Sequence, residues 1–458
     1  MSTTYQPQNG TTPARRRTLI FVLFLASVLN FADRSVFSAL AQTIKADLRL
    51  TDLQLGLLQG LVFALLYAIA GMPIGRLADR LSRTRIIAAA TVVWSAATAA
   101  TGLAAGFVQL ALARLTVGLG EAGFTPPAAS LVADVVPRVR RASTMAVVQL
   151  GSPFGAFAGA TLAGLIAGAY NWRVAFFAFA LPGFLVAAAL VWLVAEPARG
   201  QQDEPGSLSP QMPSLGEFLR TVRQSRALPW VIAGGSIAGF GMTSISQFLA
   251  MFLARSFDLD VRQAAASFGA ISGISLSIGL LAGSFGTDRL LRRDPRWPAW
   301  GAAAGLCLAP PLYWLAFHAE SLQLAFAILL VAGAMLLVFY GPTAGMIQNL
   351  LPAQMRSSGV ALYTLLYTLI GSGLGPVFVG GLSDHFASAA YAGNYLVDCP
   401  RGLPAPGAAA AIVEACHRAS ASGLQTALSL AVAVLFIAAA CFLQAARGLK
   451  EAPVQTSA

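Results

Sequence analysis

Four ionisable residues stand deep inside long apolar stretches of this sequence: Asp33 and Arg34 in one, Arg114 and Glu121 in another. A charge in hydrocarbon costs a few kcal/mol even on the lenient insertion scale, so such residues belong in a protein interior or a watery path and mark function. Arg114 and Glu121 are seven apart, which sets them on one helix face roughly 10 Å apart along the axis. If the first stretch runs outward and the second inward, Asp33 and Arg114 both lie about 10 Å below the outer surface and form a pair. Glu121 lies deeper, with Arg34 as its nearest candidate partner. Two acids and two arginines cancel in charge, which lets the cluster exist in a bundle core. Protonating one acid would free an arginine for an anionic headgroup, coupling solute binding to proton binding with no covalent step. Glu121 is the preferred proton site and Asp33 the second, because depth alone leaves Glu121 the less closely paired acid. The alternative is a permanent salt-bridge network that only fixes one helix against the other.

The second half of the chain has no comparable deep charge; its apolar stretches carry Ser236, Thr243, Ser246, Gln247, Ser272, Ser275, Tyr340, Thr343, Tyr363 and Tyr367 instead. That asymmetry points to an amphipathic solute, its headgroup at Arg34 and Arg114. Its acyl-like body would lie on Phe240, Met242, Phe339, Tyr340, Met346, Tyr363 and Tyr367. Ordinary helix packing is the alternative for any one of these side chains. Three segments are gate candidates. The turn GRLADRLSRTR offers Gly75 for close backbone approach, Asp79 at a helix terminus, and Arg80, Arg83 and Arg85 toward the inner leaflet. The stretches GGSIAGFG (234–241) and GSGLGPVFVGG (371–381) permit bending or tight crossings, with a kink at Pro376.

Positioning these groups takes helices across a bilayer. The chain is 57% hydrophobic and 11% charged, whereas a soluble chain carries about a quarter charged residues. Twelve spans of bilayer length are expected, at 18–40, 53–74, 85–105, 107–133, 142–168, 172–195, 228–253, 262–285, 297–317, 322–350, 355–382 and 422–446. They are called spans 1 to 12 below. With a cytoplasmic amino terminus, 21 Lys and Arg fall on that side and seven on the other, Arg34 and Arg114 completing the 30. The net charge of +11 therefore reads as topology, with both termini cytoplasmic, rather than as nucleic-acid binding. The expected organisation is a leader (1–17), a six-helix bundle (18–195), a linker (196–227), a second six-helix bundle (228–446) and a tail (447–458). Within the linker, Leu215, Phe218, Leu219 and Val222 recur at helical spacing opposite Arg220, Arg223 and Arg226, which predicts an amphipathic helix on the inner leaflet. The two halves repeat short patterns in the same order, such as Asp79-Arg80-Leu81 and Asp288-Arg289-Leu290, as a duplicated bundle would. Cys399 and Cys416 share the long loop before span 12, on the oxidising side; they form a disulfide or remain two free thiols.

The loop Gly75–Arg85 resembles the signature loop of the major facilitator superfamily, with Ser82 where that family usually has Gly. More fully, the chain resembles the Spinster branch of that superfamily, through FADRSV (31–36), GLLQG (56–60), GRLADR (75–80), RLTVGLGEAGFTPPAASLVAD (114–134), NWRVAF (171–176) and EPARG (196–200). The resemblance implies a major facilitator fold that rocks between two open states, with the signature loop as a latch. It also implies proton-linked transport of sphingolipid-like or lysophospholipid-like molecules, with the coupling roles on Asp33, Arg34, Arg114 and Glu121. A proton-coupled symporter of small organic anions is the alternative, since the same arginines would bind them. A monomer in the inner (plasma) membrane is expected, with lipid solute, protons and surrounding lipid as partners. Enzymatic chemistry, a cofactor or a metal is not expected, for no phosphate loop, nucleophile elbow or metal-ligand cluster occurs among His318, His385 and His417.

Overall fold

The computed structural model describes residues 12–78, 80–198, 214–291 and 293–449, and among these every regular element is helical. Among the described residues, ten helices are long and apolar enough to cross a membrane: Pro13–Leu48, Asp52–Ala78, Val147–Ala169, Trp172–Trp192, Leu228–Ser256, Val261–Gly286, Trp297–Phe317, Leu322–Leu350, Ser358–Ala390 and Ala410–Leu449. They overlap spans 1, 2 and 5 to 12; the last begins at Ala410, ahead of the expected start at 422, so Cys416 lies in that helix and not in the loop before it. Spans 3 and 4 are also helical, as Arg83–Gly102 and as the broken pair Phe107–Glu121 and Thr125–Val135. Span 4 breaks at Ala122–Phe124 because Pro126 and Pro127 supply no N–H, and their rings collide with the carbonyls a turn before. Glu121 is thereby left as the last residue of the first segment.

Local chemistry sets the ends. Thr12 caps span 1 by accepting from the Arg15 N–H, with Pro13 in its first turn, and the helix stops at Arg49 in a left-handed conformation, φ 50°. Two residues on, Thr51 and Gln54 form a capping box that starts the next helix. Span 11 does not simply kink at Pro376. Tyr367–Leu374 widens into a π-helix, and the α-helix Gly375–Ala390 restarts with the proline in its first turn, where no N–H is needed. The predicted linker helix forms as Leu215–Gln224, burying Phe218 and Val222 against the body of the protein.

Span 1 packs along span 5 and span 3 along span 6, and glycines permit the closest approaches. A Cβ added at Gly118 would strike the carbonyl of Phe63, so span 4 rests directly on span 2. Apolar packing divides unevenly. One core joins the second half of the chain to Val36–Ile44, Leu50–Leu58 and Ala160–Phe176, on the face that carries the Cys399–Cys416 disulfide. A separate core, Leu19–Ala26 with Ile87, Trp94, Val117, Leu131 and Val186, holds the opposite end of the first half by itself. Extended contacts of Arg138–Gln149 stay within the first half and those of Arg356–Leu366 within the second. The two halves are thus closed on the disulfide face and part toward the opposite one.

Candidate functional site

The first-half site is built where spans 1, 2, 3 and 4 converge. Arg34 donates through Nε and Nη2 to Glu121 Oε2, both at 2.6 Å, and its guanidinium lies 4.7 Å from the Phe63 ring centre and 5.2 Å from that of Tyr67. Arg114 Nη1 lies 3.7 Å from Asp33 Oδ2, and its guanidinium stands over Phe37 at 4.7 Å. Thr98 donates to Asp33 Oδ1 at 2.6 Å from span 3. Asp33, Arg114 and Glu121 are at most 5% exposed, whereas the Arg34 side chain is 30% exposed. All four charges therefore meet, paired as depth along the helices predicts. The expected order of closeness is reversed: Glu121 holds its arginine tightly, and Asp33 is the looser partner because Thr98 occupies its other oxygen. One donor or acceptor in three of the four groups has no hydrogen-bond partner, namely Asp33 Oδ2, Glu121 Oε1 and Arg114 Nε. Such a cluster is charge-balanced yet incompletely bonded, so it has capacity to exchange partners.

Aromatic faces take the place of hydrogen bonds around the arginines. Phe63 lies beside both guanidiniums, at 4.7 Å from Arg34 and 5.2 Å from Arg114, and so separates the pairs while touching each. Phe37, Phe63, Tyr67 and Thr98 are absent from the sequence expectation. Phe63 and Tyr67 recur at i and i+4 on span 2, and Phe37 follows Asp33 by one turn, but only packing shows which arginine each ring meets.

Across the gap, the second half presents part of the expected apolar wall. Tyr367 donates to Met242 Sδ at 3.6 Å, and the Tyr340 and Tyr363 rings lie 6.4 and 5.8 Å from the Tyr367 ring. Tyr340 and Tyr367 both stand within reach of the Arg34 charge, and Tyr340 is 42% exposed. The Tyr363 hydroxyl has no hydrogen-bond partner. Phe240 packs on Phe378. Phe339 and Met346 depart from the expectation: both are buried in the core, Phe339 against Phe442, and offer a solute no surface.

The signature loop also differs from its reading. Gly75 is not a point of close approach, since an added Cβ would meet only the Pro126 Cβ, at 3.9 Å. Arg80 and Arg85 are exposed, but Arg83 does not face the leaflet. It is 1% exposed, paired with Asp134 and with Glu196 Oε1 at 2.9 Å, and it donates to Ser130 at 2.9 Å and to the Pro197 carbonyl at 3.0 Å. Glu196 in turn accepts from Ser82 Oγ and Thr84 N at 2.8 and 2.9 Å. The loop is thus tied to the exit of span 6 inside the first half. Asp79 lies outside the described residues.

The sequence profile described as Major Facilitator Superfamily matches residues 23–376. An "MFS-type efflux pump" of Mycolicibacterium smegmatis is 32% identical over 373 residues, 81% of this chain and 85% of that protein. The zebrafish (Danio rerio) "Sphingosine-1-phosphate transporter SPNS2" is 24% identical over 389 residues, 79% of this chain and 75% of its own length. The structure of a bacterial homologue of the human lysosomal transporter Spinster, inward-facing and unoccupied, superposes with a TM-score of 0.87 at 30% identity, covering 96% of this chain and 98% of that one. This chain belongs to the Spinster family of the major facilitator superfamily. It is a multi-pass membrane protein of a family of transporters rather than enzymes. The segments FADRSV (31–36) and RLTVGLGEAGF (114–124) carry the four charges of this cluster.

Proposed function

We propose that this Spinster-family protein is a proton-coupled secondary transporter of an amphipathic lipid, sphingolipid-like or lysophospholipid-like, working by alternating access. In this reading twelve spans form two six-helix bundles in the inner (plasma) membrane, both termini are cytoplasmic, and the monomer is the working unit. The observation that carries it is the buried quartet: Arg34 with Glu121, Arg114 with Asp33, and an unpartnered oxygen on each acid. Glu121 and Asp33 take up the proton. A proton on Glu121 removes the charge that holds Arg34, and Arg34 is the member open to the gap. An anionic headgroup then replaces the lost carboxylate, while Tyr340, Tyr363, Tyr367 and Met242 receive the apolar body.

Supporting this, the family includes a sphingosine-1-phosphate transporter, and the wall opposite Arg34 is tyrosine-rich and uncharged. The test is uptake into proteoliposomes with an imposed pH gradient, using candidate lysolipids against a sugar-acid competitor. Glu121→Gln is expected to abolish proton-driven uptake while lipid binding stays measurable. A variant with wild-type pH dependence removes Glu121 from the coupling role. Full competition by the sugar acid would favour the organic-anion symporter.

A further inference from the structure

Span 3 buries three threonines, Thr91, Thr98 and Thr101, each at most 2% exposed. Their hydroxyls stand 2.7, 2.9 and 3.0 Å from the carbonyls four residues back, those of Ile87, Trp94 and Ala97, the ordinary habit of a helical threonine. Thr98 has a second acceptor as well, Asp33 Oδ1 on span 1, at 2.6 Å. A hydroxyl has one proton to give and two lone pairs, so it cannot donate to both at once.

Among the described residues, the Thr98 bond is the one hydrogen bond on the Asp33 carboxylate. Oδ2 has no such partner, because Arg114 Nη1 stands at 3.7 Å. Arg114 keeps the faces of Phe37 and Phe63, at 4.7 and 5.2 Å, whatever the charge on Asp33. The charged groups facing Asp33 are Arg34 on its own helix and Arg114 and Glu121 on span 4, while Tyr67 on span 2 faces Arg34. Spans 3 and 5 to 8 carry no titratable residue away from their ends.

Two hydrogen-bonded arrangements fit this geometry. With Asp33 ionised, Thr98 donates to the carboxylate. With a proton on Oδ1, the acid O–H donates to Thr98 Oγ1, and the threonine proton turns to the Trp94 carbonyl. No heavy atom has to move, and neither state leaves the buried hydroxyl without a bond. Trp94 is also the residue that seats the end of the Phe107–Glu121 helix. A Cβ added at Gly120 would lie 2.8 Å from Trp94 N, and the Trp94 ring meets Phe124 edge-on at 6.4 Å, so its contacts bracket Glu121.

We infer that Thr98 is a positioning residue for proton uptake, its hydroxyl donating to ionised Asp33 and accepting from protonated Asp33 while its own proton turns to Trp94. This rests on the reading of Asp33 as a proton site. The test is infrared difference spectroscopy of the full chain in proteoliposomes, titrated from alkaline to acid pH, with Glu121→Gln removing the neighbouring titration. The protonated-carboxyl band that Asp33→Asn abolishes belongs to Asp33. Thr98→Val keeps the shape and removes the hydroxyl, so the ionised acid loses a charge-assisted bond and the neutral acid only an ordinary one. The midpoint of the band is therefore expected to rise by about one pH unit, and its frequency to rise as the acid loses its acceptor. Thr98→Ser, which keeps the hydroxyl, should restore both. Thr98→Ala reads the same loss if Thr98→Val does not give monodisperse protein. An unmoved midpoint and frequency without the hydroxyl would overturn the role while leaving Asp33 a proton site, and so would a shift that Thr98→Ser reproduces. If Asp33→Asn abolishes no band, Asp33 is not a proton site and the role of Thr98 falls with it. Uptake by the unmutated chain that ignores the pH gradient, with the band shifts intact, would remove proton coupling and leave the Thr98 bond exchange standing.

Discussion

Glu121 ends a helix one residue before the chain turns, and its partner Arg34 sits on another span, so each pair of the quartet bonds two elements together. Removing one member leaves its partner charged in a dry place, while removing both of a pair leaves a neutral hole. Arg114→Gln is therefore expected to cost about 3–5 kcal/mol, and Asp33→Asn/Arg114→Gln to recover most of that loss. Thermal unfolding in detergent of both single variants and the double checks it; a double-variant loss equal to the sum of the two single losses would show that the 3.7 Å pair carries no coupling. The acids and arginines were legible in the sequence because hydrocarbon makes any charge conspicuous. Phe63 and Tyr67 were not, since an aromatic residue in an apolar run has no signal of its own until packing sets it beside a guanidinium.

At the scale of the element, the signature loop is held by Glu196, which follows span 6. Burial works to raise the Glu196 proton affinity, but the Thr84 backbone N–H, the Arg83 guanidinium, and the Thr84 and Ser82 hydroxyls outweigh it and hold the carboxyl down to about 2. An unfolded Glu titrates near 4.3. With the folded value below the unfolded one, its stabilising contribution is full above about pH 5 and is lost as pH falls toward 2. Wild-type melting temperature should consequently drop more steeply between pH 6 and pH 3 than that of Glu196→Gln, whose neutral amide has no such pH dependence. Parallel profiles would show that the loop is anchored by other contacts. The run EPARG was visible as a motif, yet its clamp on Arg83 depends on three helices meeting and has no counterpart in spacing.

For the whole molecule, closure on one face and separation on the other imply uneven mobility. Segment Arg138–Gln149 makes its extended contacts within its half, while Gly151–Ala169 on the same span presses on spans 1 and 8. Amide exchange in Arg138–Gln149 is expected to run at least about tenfold faster than in Gly151–Ala169. Equal protection would place the gap elsewhere.

Composition and hydropathy alone set the membrane as solvent, because helices that satisfy their own backbone polar groups are what an apolar chain of this kind builds there. The sequence also marked the four embedded charges, the likeness of the two halves and the amphipathic linker helix, each a matter of period or of cost per charge. Tertiary structure decided what needed distant elements to meet: that Glu121 rather than Asp33 is the tightly held acid, that Arg83 turns inward, that Phe339 and Met346 are core, and that Thr98 bonds Asp33. Each of those is a contact across more than 60 residues of chain or a burial set by neighbouring helices, and local pattern carries no record of either.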